Sequence, residues 1–256
     1  MIDISEVSVY GFYEAAMGMR NPKKSWHLSD TSAMTPPIRY TRISYEVMPI
    51  SENVLGINDK KLALKLASAG GPHAKFRRMI QVWCDIYAPL YWWKEFDTYK
   101  IGTTANSEST MHTIGDKPFG IEQFSVEELW KESVEIPEHM QVKADGTSEM
   151  TKATIIKDQN LWKEKFKDII ECLNIARRFM LQYRKSGDKE AEKFYWWKII
   201  QMLPSSWMQM RTENLNYEVL SQIHHYRKDH KLTEWRKFCN FIEQLPDSEI
   251  ITCERR

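Results

Sequence analysis

The sequence predicts an α+β fold, in which strands and helices mix without a regular β–α–β rhythm. Two stretches, residues 39–48 and 76–86, alternate apolar and polar side chains with the period of two of a half-buried strand. A third, from about 158 to 185, carries an apolar stripe at helical spacing. Strands and helices that do not alternate regularly indicate an α+β chain rather than a doubly wound one.

The first half of the chain contains two predicted helices. Residues 7–17 form a short apolar piece, followed by a polar, proline-containing stretch up to residue 36. Asn58 and Asp59 are predicted to cap a helix that ends at Gly70-Gly71. The strand at 76–86 leads into a helix that Pro89 opens and Phe96 ends. The T-T-A-N-S-E-S-T run after it predicts a loop, because hydroxyl and amide side chains compete for backbone hydrogen bonds.

The second half is predicted to be mainly helical. A capping box at residues 125–128 opens a short helix, and residues 143–148 are predicted to be an exposed loop. After the long helix, residues 186–188 form a break, and helix resumes over 190–202. A short strand at 206–211 and helices at about 214–228 and 233–245 follow. We expect one domain over residues 1–256, with an insertion or mobile flap at about 114–154.

Composition narrows the function classes. A formal charge of +1 over 256 residues gives no bulk attraction to nucleic acid or to an anionic membrane. No apolar run approaches the roughly 20 residues that span a bilayer, and the N-terminus lacks a secretory signal pattern. The four cysteines are scattered, with no C-x-x-C pair, which is typical of reduced thiols. We therefore expect a cytoplasmic protein that binds neither nucleic acid nor membrane.

Two segments carry candidate chemistry. Residues 86–112 combine aromatic residues, a cation, acids and a polar run, which suits a phosphate-bearing or amide-rich ligand. In the later helix, about 100° per residue places Asn216, Leu220, Ile223 and Arg227 on nearly one side. A buried arginine is costly unless it meets an anion or several acceptors. The alternative is that Arg227 reaches water at the helix end or pairs with a nearby acid.

The two segments resemble motifs of one enzyme family. The family pattern R-H-R-x-x-S-x-N-E-x-S-x-R-Y follows an x-A-P-x-x-x-x-R-Q helix, and a later pattern reads V-L-P…N-x-R-S-L-x-x-F-L-x-x-R…Q-W-E. The matching positions of the first are Ala88-Pro89, Lys94-Glu95, Thr98-Tyr99-Lys100, Thr103, Asn106, Ser107, Ser109, Met111 and His112. Those of the second are Met202-Leu203-Pro204, Asn216, Leu220, Gln222, Arg227 and Glu234-Trp235. The chain thus resembles the flavin-dependent thymidylate synthases (ThyX) over roughly residues 59–112 and 196–245.

This resemblance implies a fold and a chemistry. The fold is ThyX-like, a mixed or antiparallel sheet flanked by long helices, assembled as a homotetramer. The reaction is reductive methylation of deoxyuridylate, with FAD as cofactor and NADPH and methylenetetrahydrofolate as co-substrates. No protein nucleophile is required. The family likeness places Arg227 at the nucleotide base as the catalytic residue. It assigns Ser109, Glu95 and Gln222 to the nucleotide, and Lys100, Asn106, Asn216 and His230 to the flavin.

The chain departs from the family at functional positions. The R-H-R triplet becomes Thr98-Tyr99-Lys100, Met111 replaces a phosphate-binding arginine, and Ile200 stands where an arginine precedes V-L-P. Hydrogen bonds to charged groups contribute roughly 1.5 to 3 kcal/mol each, so these losses weaken phosphate binding unless other cations compensate. Six cations are candidates: Lys75, Arg77, Arg78, Arg177, Arg178 and Arg211.

The departures leave alternatives open. Glu95, where the family has glutamine, suits a base with an exocyclic amine, such as that of deoxycytidylate; a salt-bridged glutamate is the other interpretation. A non-catalytic nucleotide-binding or assembly relative is the alternative from another class. His224, His225 and His230 lack a carboxylate or cysteine that would complete a metal site, so we expect none.

Overall fold

The computed structural model describes residues 1–33, 38–42, 53–130 and 152–254. The chain divides into two compact units. The sheet unit comprises Ile2–Glu108 and Gln209–Arg256, and the helical unit comprises Met1 and Ser109–Met208. The expectation of a single domain with a flap at about 114–154 stays a prediction, and residues 131–151 of that range lie outside the described residues.

A five-stranded sheet forms the centre of the sheet unit. Its strands are β1 (Asp3–Tyr10), β2 (Ile38–Arg42), β3 (Gln81–Pro89), β4 (Thr103–Ser107) and β5 (Met208–Asn216). Their order across the sheet is β2-β1-β3-β5-β4. The pairs β1–β2, β1–β3 and β4–β5 are antiparallel, which confirms the predicted α+β class.

Helices account for most of the remaining regular structure. In the sheet unit they are α1 (Phe12–Arg20), α2 (Ile57–Ala69), α3 (Leu90–Phe96), α8 (Tyr217–Arg227), α9 (Thr233–Glu243) and α10 (Glu249–Thr252). In the helical unit they are α4 (Thr110–Thr113), α5 (Glu127–Trp130), α6 (Lys152–Ser186) and α7 (Lys189–Met202). A run of 3₁₀-helix over Gly71–Met79 joins α2 to β3. None of the helices in the described ranges is long and apolar enough to cross a bilayer.

An aromatic cluster anchors α3 to α9 in the core of the sheet unit. Trp92 and Phe96 of α3 pack against Trp235 and Phe238 of α9, with the Trp92 and Trp235 ring centroids 4.8 Å apart. These four side chains are buried. Large buried rings contribute more than other side chains to packing, so this cluster fixes the two helices relative to each other.

Several boundaries differ from the prediction. The strand predicted at 76–86 begins at Gln81, because residues 71–79 form the 3₁₀-helix, while Val82, Cys84 and Ile86 face the core as expected. The long helix begins by Lys152, and β5 reaches Asn216, so the next helix starts at Tyr217 rather than 214. The helix predicted from Pro89 to Phe96 is confirmed. Residues 43–48 of the first predicted strand, and the loop at 143–148, lie outside the described residues.

The loop predicted for T-T-A-N-S-E-S-T is wrong over its first five residues. These residues form β4, which pairs along its whole length with β5, from Thr103 opposite Leu215 to Ser107 opposite Arg211. The backbone groups that local side chains were expected to satisfy are instead satisfied by a strand more than 100 residues later in the sequence.

The predicted cap of α2 is also wrong. The helix begins after Gly56, and the Asp30 carboxylate accepts hydrogen bonds from the backbone N–H groups of Asn58 and Asp59. Asp59 itself is fully buried and accepts from Arg20 Nε at 2.6 Å. Ser29 and Thr31 donate to its other oxygen, each at 2.7 Å. Asp59 therefore ties the segment after α1 to α2.

Candidate active site

Arg227 lies at the centre of a polar cluster within the sheet unit. It is the last residue of α8, and its Nη1 donates to Glu95 Oε2 of α3 at 2.9 Å. Its Nε donates to the Tyr99 hydroxyl, also at 2.9 Å. Trp235 of α9 donates from Nε1 to the same Glu95 oxygen at 2.9 Å. We call Glu95, Tyr99, Arg227 and Trp235 the Arg227 cluster.

Rings and an acid hold the guanidinium in place. Its central carbon lies 4.7 Å from the Trp235 ring centroid and 5.7 Å from that of Tyr99, within cation–π range. The Arg227 side chain is 19% exposed and that of Glu95 is 35% exposed, so both reach solvent. Arg227 Nη2 makes no hydrogen bond within the described residues, which leaves donors free for an acceptor on a ligand.

His230 extends the cluster. Its Nε2 lies 3.6 Å from Glu95 Oε2, and its Nδ1 accepts from the backbone N–H of Leu232 at 3.2 Å. The predicted site residues Glu95, Arg227 and His230 are therefore brought together. Of the two interpretations of Glu95, the structure favours the salt-bridged glutamate, because Oε2 already accepts hydrogen bonds from Arg227 and Trp235.

The Asn216 side chain caps the N-terminus of α8. Its oxygen accepts from the N–H groups of Glu218 and Val219 at 3.1 and 3.0 Å. Its Nδ2 faces Gly102, where an added Cβ would lie 2.4 Å from that nitrogen. Gly102 has a φ of +85°, so both its backbone and the adjacent amide favour glycine. The Asn-to-Arg spacing thus spans α8 from its cap to its last residue.

The other predicted site residues are exposed. Lys100 follows Tyr99, Asn106 lies on β4 opposite Thr212, and Gln222 lies on α8. Ser109 belongs to the helical unit, where its hydroxyl is hydrogen-bonded to His112 Nδ1 at 2.7 Å. This pair is exposed and spans a single turn at the start of α4.

Three of the six candidate replacement cations are already engaged. Arg77 is fully buried, with its Nη1 3.2 Å from the Ser221 hydroxyl. Arg177 donates to the carbonyl oxygens of Gly115 and Asp116. Arg211 donates to Asp97 at 2.7 Å and stacks on Trp93. Lys75, Arg78 and Arg178 remain exposed.

Lys75 and Arg78 line a cavity that the sequence did not predict. Its volume is about 740 Å³, and it lies in the sheet unit between α1, α2 and the 3₁₀-helix. Its lining residues are Gly18, Met19, Asn21, Pro22, Leu66, Pro72, His73, Lys75, Phe76, Arg78 and Met79. None of the described residues that line it is an acid, and its cationic side chains stand beside apolar ones, which suits an anionic ligand with a flat apolar body.

The histidines form no metal centre in the part of the chain that the structure describes. His224 is paired with Glu243, Nε2 to Oε1 at 2.8 Å, and that pair stands without further ligands. Within the described ranges no group of three or more histidine, cysteine, aspartate or glutamate side chains is arranged to hold a metal ion.

Comparison with solved structures shows which fold this is. Two crystal structures of ThyX from Helicobacter pylori with FAD and dUMP match with TM-scores of 0.53 and 0.56, at 12% and 13% identity. The matches cover 98% and 99% of this chain and 96% and 100% of the other. The UMP/dUMP methylase PolB from Streptomyces cacaoi, bound with 5-Br dUMP, matches with a TM-score of 0.55 at 11% identity. That match covers 99% of this chain and 95% of PolB.

No protein-family model matches the chain, and no curated protein does. The chain nevertheless has the fold of the flavin-dependent thymidylate synthases over almost its whole length. The fold expected from the two motifs is therefore confirmed. At this level of identity the likeness concerns the fold, and the activity rests on the residues of this chain.

Proposed function

We propose that the chain is a divergent flavin-dependent pyrimidine-nucleotide methylase of the ThyX type. The observation that carries the proposal is the Arg227 cluster, a guanidinium fixed by one acid and two rings with Nη2 free. A uracil ring presents carbonyl oxygens, which accept hydrogen bonds from such donors. Arg227 would hold the base of deoxyuridylate and stabilise negative charge that develops on its oxygens.

The cavity at the 3₁₀-helix fits a phosphate-bearing cofactor such as FAD. Its volume falls within the range of small-molecule sites, and Lys75 and Arg78 supply cations beside Phe76 and Met19. When bound, FAD supplies the redox chemistry that moves a methylene from methylenetetrahydrofolate to C5 of the base, and NADPH recharges it. The residues of this chain contribute binding, orientation and charge. We propose a homotetramer, as in the family that the motifs resemble.

The second candidate is a non-catalytic nucleotide-binding relative. The engagement of Arg77, Arg177 and Arg211 inside the protein favours it, because these side chains do not replace the lost phosphate-binding arginines. Methylation of deoxycytidylate is a narrower variant. It depends on Glu95 Oε1, the oxygen that the cluster does not use.

A visible absorbance spectrum of the purified protein, recorded after excess FAD is added and unbound FAD removed, tests the proposal. A retained flavin signal, together with tritium release from C5-labelled dUMP, supports the methylase. Retained nucleotide binding without flavin supports the second candidate.

Calorimetry with dUMP and dCMP then tests the role of Arg227. Arg227→Ala should weaken dUMP binding about 10- to 100-fold, the equivalent of one hydrogen bond to a charged donor. Arg184→Ala, an exposed arginine paired with Glu192 in the helical unit, is the control and should bind as the wild type does. Equal affinity of wild type and Arg227→Ala would remove Arg227 from the base site.

A further inference from the structure

Glu213 is a buried carboxyl group that the proposed chemistry does not use. It lies in β5 opposite Ala105 of β4 and is only 1% exposed. Neither of its carboxyl oxygens has a hydrogen-bond partner within the described residues. This differs from Asp59, which is equally buried but accepts hydrogen bonds at both oxygens.

Three charged or titratable groups from the surrounding elements lie near Glu213. Arg211 lies two residues earlier and therefore on the same face of β5. Asp97 follows α3 and pairs with Arg211 at 2.7 Å. Cys84 of β3 is a buried thiol whose pKa is raised by burial and, in part, by Glu213. From β4, Ala105 brings no charge.

Arg211 is the one cation among these groups, and its hydrogen bonds go elsewhere. Its Nε donates to Gln209 Oε1 at 3.1 Å, its Nη1 donates to Asp97, and its guanidinium lies 4.2 Å from the Trp93 ring centroid. An ionised carboxylate that is buried without a partner is costly, whereas the neutral acid is far less so. Burial raises the pKa of Glu213 to about 7; the attraction of Arg211 opposes this rise, and Asp97 adds to it.

We propose that Glu213 is a buried proton switch that controls whether Arg211 pairs with Asp97 or with Glu213. With the proton in place, Arg211 stays with Asp97. When Glu213 releases its proton to solvent, the new carboxylate draws Arg211 along the face of β5, and Asp97 loses its partner. Asp97 lies two residues after Glu95, so the switch acts at the end of the helix that carries Glu95 of the Arg227 cluster.

The proposal fixes the sign of a pH dependence. The folded protein keeps the Glu213 proton to a higher pH than the unfolded chain, in which the pKa is near the ordinary value of 4.5. Between that value and about 7 the folded state binds more protons, so the stability that Glu213 contributes falls as the pH rises. Above pH about 7 the stability contributed by the Glu213 proton is fully lost. In Glu213→Gln this pH dependence of the free energy of unfolding disappears.

Infrared difference spectra of the full chain, taken between pH 5 and pH 9, test the proton directly. Wild type should show the carbonyl band of a buried protonated carboxyl group, lost on raising the pH. Glu213→Gln should lack this band, and the control Glu171→Gln, an exposed glutamate of α6, should retain it. A wild-type spectrum without the band, or a band that persists in Glu213→Gln, overturns the proposal.

The switch itself is tested with Asp97→Asn. This change releases Arg211 and removes a negative charge, so the midpoint of the infrared transition should move to lower pH. Arg211→Met should move it to higher pH. Unchanged midpoints in both variants overturn the exchange of partners. These two measurements do not need Glu213→Gln to fold, and neither depends on flavin or nucleotide binding.

Discussion

Glu95 and Arg227, separated by 132 residues in sequence, form an ion pair of 2.9 Å between the end of α3 and the end of α8. Trp235 donates to the same oxygen of Glu95 and lies under the guanidinium. The arrangement balances the charge of Arg227 while leaving Nη2 free. Position 95 is also where the chain departs from the family it resembles, because the family motif has a glutamine there.

Glu95→Gln should strengthen the binding of a nucleotide monophosphate. The amide oxygen still accepts from Arg227 and Trp235, but the negative charge beside the guanidinium is gone. Both side chains are partly exposed, so solvent screens the effect, and we expect roughly a 3- to 10-fold gain in dUMP affinity at low salt. Calorimetry at two salt concentrations measures it, with uncharged deoxyuridine as the matched ligand.

Deoxyuridine affinity should change less than dUMP affinity, and the gain for dUMP should shrink at high salt. Glu122→Gln, an exposed glutamate of the helical unit, is the control variant. Weaker dUMP binding in Glu95→Gln would show that the ion pair positions Arg227 and does more than neutralise it.

The basic cavity should govern flavin binding. Reversing two of its charges in Lys75→Glu/Arg78→Glu places acids where the proposal puts phosphate groups. Each lost charge-assisted contact costs roughly 1.5 to 3 kcal/mol, so FAD affinity should fall at least about 100-fold. Lys65→Glu, an exposed charge reversal on α2 outside the cavity, should leave FAD affinity unchanged. Flavin fluorescence titration separates the two variants, and equal affinities would place FAD elsewhere.

Local sequence signals predicted those parts of the fold in which neighbours along the chain decide the structure. Pro89 followed by a run of aromatic residues predicted α3, and the apolar stripe predicted most of α6. β4 was missed because its hydrogen bonds go to β5, about 110 residues away, and local hydroxyl and amide residues do not reveal such pairing. Local spacing predicts Asn58 and Asp59 as a cap because the tertiary partner of Asp59, Arg20, is invisible to it.

The candidate site was predicted in part. The Asn216-to-Arg227 spacing of the family motif turns out to span α8 from its cap to its last residue, and Glu95 and His230 lie near Arg227. Tyr99 and Trp235 stood in the matched motifs, but their packing against the guanidinium needed the tertiary fold. The cavity was missed for a similar reason, since its walls bring α1 together with α2 and the 3₁₀-helix, which lie about 40 residues or more further along the chain.

Asn216→Ala should destabilise the protein by about 1 kcal/mol, the usual cost of losing a helix N-cap. Its side-chain oxygen satisfies two backbone N–H groups of α8 that have no other intrahelical partner. Asn216→Asp keeps that oxygen and should cost much less. Urea unfolding followed by circular dichroism measures both, with Asn214→Ala, two residues earlier in β5 and with only a 3.5 Å contact to the Val82 carbonyl oxygen, as the control. A fall in FAD affinity without a fall in stability would return Asn216 to the flavin site.

Asp59→Asn should destabilise the sheet unit strongly, and the effect should depend on pH. Burial alone raises the pKa of Asp59, but hydrogen bonds from Ser29, Thr31 and Arg20 outweigh it and hold the pKa below its usual value. The stabilisation is therefore present above the unfolded-state pKa of about 3.8 and is lost as the pH falls through the lower, folded-state value.

Removing one partner of a buried pair costs about 3 to 5 kcal/mol, so the urea midpoint at pH 7 should drop sharply. As the pH falls from 3.8 through the lower folded-state value, the gap between wild type and variant should narrow, because Asp59 takes up a proton first in the unfolded chain and then in the folded protein. A gap that stays constant with pH would mean that the variant loses packing around Arg20 and not the charge of Asp59.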